Sequence, residues 1–249
     1  MPVGPRFWQR WGVRAVRQAW GLAHDDQGWV LVGVFRQGMA GLRVRACVSL
    51  RPPEGVPRVD GWLSQALTDA LHPTPRTRQR LNMGLQAQDG VAGHLNCPVQ
   101  LPPHAWSAEV QLEVAQALNL PPEAVSFDFE PGPLVGAEMR QLHWVGCAKA
   151  LVDDGQRWIA AAHGWHLIGV EPEADAAHRA ARSLVGGWSS LHQQAPQDWQ
   201  FRLDAEGEAA DLGGENMVDV RSAQWLADAL ASPAGPRLVA AGLALKAWA

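Results

Sequence analysis

The side chains able to do chemistry are few, and their spacing works against it. His94-x-x-Cys97 and His163-Gly-Trp-His166 carry metal-ligand types. Each pair offers two ligands with no second pair at supporting spacing, whereas a structural zinc takes four, so no metal site is expected. His163 falls at the expected end of a helix, a position where a basic side chain complements the helix dipole. Asp153-Asp154 has the composition of an acid–base carboxylate pair, but at the start of an expected helix it reads as cap and first-turn anions. No strand is followed by G-x-x-x-x-G-K-S/T or G-x-G-x-x-G, and no G-x-S-x-G elbow occurs, so neither common phosphate cradle nor a hydrolase nucleophile is present. Gly186-Gly187 and Gly213-Gly214 sit in loop-like contexts that turn geometry explains. These residues assemble no catalytic constellation.

The chain that must position any site has 249 residues, 47% of them apolar, with 25 Gly and 18 Pro. That is enough for one large domain or two modest ones, and too apolar for a disordered chain. Cys47, Cys97 and Cys147 are odd in number and widely spaced, which gives no disulfide framework and points to a reducing compartment. No apolar stretch follows the N-terminal arginines as a secretory signal would require, and the longest apolar run, 238–249, is too short to span a bilayer. A net charge of −4 excludes a wholly basic nucleic-acid binder, so no nucleic-acid partner is expected. The charge is divided unevenly: residues 1–51 hold eight Arg against Asp25 and Asp26, a net of +6, and the remainder carries −10. The N-terminal part is therefore suited to face an anionic surface.

In segment 6–18, Arg6, Arg10, Arg14 and Arg17 recur at helical spacing beside Phe7, Trp8 and Trp11. Two readings stand: an amphipathic helix resting on anionic headgroups, or a solvated extension whose Trp residues pack on the body. From Trp20 the period changes. Segments 19–23, 29–36 and 41–50 read as three antiparallel strands punctuated by Asp25-Asp26-Gln27-Gly28 and Gln37-Gly38. Helices are expected at 61–71 after Asp60, at 107–118 with Ser107 as N-cap, at 153–163, 172–185, 222–231 and 236–248. Strands are expected at 79–87, 93–100, 125–130, 141–150 and 166–171, with a hairpin at 199–212.

Several segments in order carry a resemblance. Gly21-Leu22-Ala23 opens the first strand; the passage Leu118-Asn119-Leu120-Pro121-Pro122-Glu123-Ala124-Val125-Ser126-Phe127-Asp128-Phe129 joins a helix to a strand. A strand–helix–strand unit follows from Trp144 to Val170, and Gly242-Leu243-Ala244-Leu245-Lys246 closes the chain. Over 19–185 and 236–248 this order resembles the PilM family, the actin-like cytoplasmic proteins of type IV pilus assembly, and in its brevity the short HofM-type members. The resemblance implies an α/β fold with a mixed sheet: an actin/ribonuclease-H-like first lobe with a small inserted subdomain and a truncated second lobe. It divides the chain into a basic extension (1–18), the lobe (19–90 and 140–185), an inserted peptide-binding subdomain (91–139), a second-lobe remnant (186–235) and a C-terminal helix returning to the lobe (236–249).

The departures from the family bear on mechanism. Where relatives begin with Gly-Ile-Asp-Ile-Gly-Thr/Ser-Ser-Ser-Val-Lys, this chain has Gly21-Leu22-Ala23-His24-Asp25-Asp26-Gln27-Gly28-Trp29-Val30. The metal-positioning acid has become Ala23, the Gly is Asp25 and the Lys is Val30. Gly21, Ala23, Asp25, Asp26 and Gly28 are thus a vestigial phosphate loop in which two carboxylates repel phosphate. ATP and Mg binding are expected to be lost, leaving a pseudo-ATPase with no cofactor and no catalytic residues. By resemblance, the function is that of a non-enzymatic adaptor in pilus biogenesis or competence. It would be cytoplasmic and peripheral at the inner membrane, and would bind the N-terminal tail of a PilN-like membrane protein. An extended tail would add main-chain hydrogen bonds and seat apolar side chains, against candidates Leu95, Val99, Leu101, Trp106, Val110, Val125, Phe127 and Phe129. Arg6, Arg10, Arg14 and Arg17 would face the membrane. Two alternatives share the lobe: a nucleotide-dependent actin-like switch, and the cytoplasmic module of type II secretion L proteins.

Overall fold

A computed structural model of the chain describes residues 17–38, 41–53, 61–71, 78–203 and 223–248. It divides into two compact units, one of residues 1–84 with 158–249 and a smaller one of 85–157.

The larger unit is built on a six-stranded mixed sheet. Strands β1 (Gln18–Asp25), β2 (Gly28–Gln37) and β3 (Gly41–Leu50) form an antiparallel meander, and β4 (Gln79–Leu85) pairs parallel to β1. With β8 (Trp165–Pro172) and the three-residue β9 (Gln200–Arg202), the order is β8-β4-β1-β2-β3-β9. The central strands are apolar on both sides because both faces are covered. Val30, Val32 and Val34 pack with α4 (Glu173–Ser183), α6 (Ala223–Ala231) and α7 (Gly235–Leu245). Trp20, Leu22 and Leu31 pack on the other face with Leu63 and Leu67 of α1 (Gly61–Leu71) and with Ile159. A near-continuous apolar run is what a strand buried on both faces requires. Val34 pairs with Val44 and Gly33 with Ala46, so Arg45 is the extra residue of a bulge. A short helix, α5 (Gly187–Gln193), follows α4.

The smaller unit is a three-stranded antiparallel sheet, β5 (Gly90–Pro98), β7 (Met139–Ala148) and β6 (Val125–Val135), in the order β5-β7-β6. Helix α2 (Pro103–Leu118) lies on one face. Leu95 pairs with Leu142 and Phe129 with Trp144, so these four side chains share that face. Gly93 and Gly146 make room for it: a Cβ at Gly93 would meet the Trp144 ring at 2.5 Å, and one at Gly146 would meet Val114 at 2.3 Å.

The structure corrects several sequence expectations. Helix α2 starts at Pro103, whose fixed φ suits the first helical position, so Ser107 lies inside the helix and caps nothing. It ends on Asn119 in the left-handed conformation at φ 52°, ahead of Pro121-Pro122. Helix α3 (Lys149–Ala161) begins directly after β7, which moves Asp153 and Asp154 from cap positions into its second turn. Strand β7 pairs with β5 and β6 inside the smaller unit, where the sequence reading had placed it in the lobe. Gln18 opens β1, so a helix over 6–18 does not reach its expected end. Residues 6–16, and with them Arg6, Arg10 and Arg14, lie outside the described residues, as do 204–212 of the expected hairpin.

Candidate functional site

The end of β1 is the first place to look for a phosphate site. Gly21 is small because α7 crosses it: a Cβ there would lie 1.9 Å from the Ala240 carbonyl oxygen and 2.7 Å from the Ala244 nitrogen. Ala23 is fully buried in the same cluster. Gly28 admits the Leu50 carbonyl oxygen, which would be 2.3 Å from a Cβ. At Gly21 and Gly28 the space a side chain would take is filled by neighbouring backbone. Asp25 turns inward on its own hairpin, its Oδ1 accepting the Gln27 backbone N–H at 2.8 Å.

The residues that occupy this end of the strand are His24 and Glu173. Glu173 is in the first turn of α4, where an acid complements the helix dipole. Its Oε1 accepts the His24 backbone N–H at 3.0 Å and lies 3.0 Å from His24 Nδ1. The imidazole rests on Trp29 with ring centroids 3.7 Å apart. Gly84 of β4 gives the carboxylate its place, since a Cβ there would meet Glu173 Oε1 at 2.7 Å. Sequence reasoning missed Glu173; its one local signal was an acid directly after Pro172, at a helix start.

The eight peptide-site candidates all fall in the smaller unit, and they divide by burial. Val110 and Val125 are core residues. Leu95, Leu101, Trp106, Phe127 and Phe129 are partly buried against that core, and Val99 is 43% exposed at the end of β5. Two indole N–H groups in these layers, those of Trp106 and Trp144, are buried without a partner. The sequence pairs read as metal-ligand types do not converge. His94 and Cys97 are three apart on one strand, so the first meets His143 on the open face while the second is buried with α2. His163 and His166 are both exposed, on either side of Gly164 at φ 83°. Burial pushes the Cys47, Cys97 and Cys147 thiols up, away from the thiolate that a nucleophile needs.

No family model matches the chain, and no curated protein does. Solved structures do match. One, described as the PilM–PilN type IV pilus biogenesis complex, aligns at a TM-score of 0.53 with 19% identity, covering 67% of this chain and 50% of the matched one. The chain shares the mixed α/β fold of the matched chain. A second match is the cytoplasmic domain of EpsL, an inner-membrane component of the type II secretion system of Vibrio cholerae. It aligns at a TM-score of 0.44 with 12% identity over 64% of this chain and 58% of that one. The chain spans about half the length of the PilM–PilN complex chain it matches.

Proposed function

We propose that this protein is a non-enzymatic, PilM-like adaptor of an inner-membrane assembly machine. In this reading it holds the cytoplasmic N-terminal tail of a PilN-like membrane protein against the α2 face of the smaller unit. The fold likeness to a chain of the PilM–PilN complex carries the reading. The pairing of Glu173 with the His24 N–H supports its non-enzymatic side, because a carboxylate takes the backbone donor at the strand end that a phosphate would need. Among the described residues no helix is long and apolar enough to cross a membrane, which is consistent with peripheral attachment through a partner.

The test is a titration of the purified chain with a synthetic peptide copying the N-terminal tail of the PilN-like, single-span protein of the same genome. Binding is read by the intrinsic fluorescence of the 13 Trp residues and confirmed by calorimetry, with and without Mg-ATP. Saturable binding indifferent to ATP, and weakened by Trp106→Ala or Phe129→Ala, is the expected result. Binding that requires Mg-ATP would replace the adaptor with a nucleotide-dependent switch, and no binding under either condition would reject the tail as ligand.

A further inference from the structure

Four arginines of the larger unit line one hollow. It measures about 650 Å³ and opens where β1 begins, β2 ends and β3 begins, with Arg17, Phe35, Arg36, Arg43, Arg45 and Asp198 in its lining. Strand register explains the grouping. Gln18, next to Arg17, pairs with Phe35, and Phe35 pairs with Arg43. Arg45 is the bulge residue, which re-aims it: its guanidinium carbon stands 5.0 Å from the centroid of Phe35, whose ring meets the edge of Trp20 at 6.0 Å. Among the described lining residues the one acid is Asp198, 4.0 Å from Arg43 Nη2, with both side chains substantially exposed. Arg17, Arg43 and Arg45 stand with Asp198 among the same residues, on a chain whose residues beyond 51 carry −10.

We propose that this hollow docks an acidic peptide segment of a partner protein: an extended stretch with carboxylates on either side of one apolar side chain. The cations are all arginine, whose planar fork engages a carboxylate through two parallel hydrogen bonds. The Phe35 ring and the aliphatic stems of the arginines form an apolar seat between the charges, which a purely ionic ligand would leave unused. The surface is concave, with Phe35 on its lining, a shape that receives a side chain and that a flat bilayer does not enter. Each exposed ion pair is individually weak, so binding depends on several carboxylates acting together, and its rate and salt dependence carry the charge signature. The site is separate from the α2 face proposed for a PilN-like tail and does not depend on it.

The experiment pans a random dodecapeptide phage library on the full chain and on the Arg43→Glu/Arg45→Glu double variant, with Arg157→Glu as a reversal elsewhere. Both targeted side chains are at the surface, and circular dichroism checks that the variant folds. Enrichment of Asp/Glu-rich peptides carrying one apolar residue is expected. Their affinity should fall about tenfold or more in the double variant, stay unchanged in Arg157→Glu, and weaken steeply with salt on the wild-type chain alone. Selected peptides without acidic enrichment, or acidic peptides that bind the double variant equally, would overturn the proposal. So would sedimentation with phosphatidylserine vesicles that is lost in the double variant while acidic peptides fail to bind, because the hollow would then be a lipid-headgroup site.

Discussion

Glu173 Oε1 accepts the backbone N–H of His24 at 3.0 Å, so the polar end of β1 is closed by an acid borne on α4. A triphosphate entering here would meet that carboxylate and those of Asp25 and Asp26, with no lysine on the hairpin to offset them. Saturating Mg-ATP is therefore expected to leave hydrogen exchange over Gly21–Gly28 and the melting temperature unchanged. A ligand that bound only the native state would raise both protection and Tm. Glu173→Ala should cost about 1–2 kcal/mol through the orphaned N–H, without creating nucleotide affinity.

Two glycines set how closely α7 can lie. A Cβ on Gly242 would fall 1.7 Å from the Ala176 carbonyl oxygen of α4, and one on Gly21 would fall 1.9 Å from the Ala240 oxygen of α7. Both contacts are with backbone, which cannot rotate away. Gly242→Ala and Gly21→Ala should each destabilise by about 3 kcal/mol or more, the upper end of overpacking. Gly61→Ala provides the contrast: at the first residue of α1 a Cβ meets nothing within 4 Å, and a gain of up to about 1 kcal/mol is expected. Urea midpoints at constant m separate the outcomes.

The meander and α1 were legible because each is a local pattern. The double-sided apolar run of β2 and the apolar face of α1 state their burial without reference to anything distant, and β3 and α1 occur at their expected bounds. Strand β7 pairs with β6 across a short turn and with β5 from beyond α2, and periodicity, which gives a strand its faces but not its neighbours, did not state that grouping. At the site, the substitutions at Ala23, Asp25 and Val30 were visible in sequence. The acid that takes the His24 N–H was not, since Glu173 lies 149 residues from His24. The arginines of the hollow were read as part of a charge excess; only the register of β1, β2 and β3 with the bulge at Arg45 brings four of them together.

His178 should make the fold acid-sensitive near neutrality. Burial lowers its pKa, Arg182 lowers it further and Asp175 partly opposes them, and its Nδ1 is buried without a partner. The unfolded chain therefore takes up this proton at a higher pH than the native one. Stability is full above the unfolded value of about 6.5 and declines as pH falls through it toward the native value. Asp175, raised chiefly by burial and then by Glu171, has the opposite sign: its penalty is present when ionised and is relieved as pH falls through its raised value. Urea stability of wild type is expected to drop between about pH 7 and pH 6, and His178→Gln should flatten that slope. A slope identical in the variant would assign the proton elsewhere.

Glu171 ties the C-terminal helix to the sheet through two cations. The side chain is 6% exposed; its oxygens form a fork with Arg179 at 2.6 and 2.9 Å, and Lys246 Nζ approaches Oε2 at 2.9 Å. Arg179 also donates to the Gly242 carbonyl at 2.9 Å, and Asn82 to that of Leu243 at 2.9 Å, so polar groups of α4 and β4 hold the last turn of α7. The two cations are not equivalent. Arg179 is mostly buried, whereas Lys246 is 39% exposed and shares its charge with water. Arg179→Met should cost about 3 kcal/mol or more, because it strands a buried carboxylate. Lys246→Ala should cost less than about 1 kcal/mol and lose even that at high salt. Equal losses in the two variants would mean that the charge on Glu171, and not its bidentate geometry with Arg179, is what fixes α7 on the sheet.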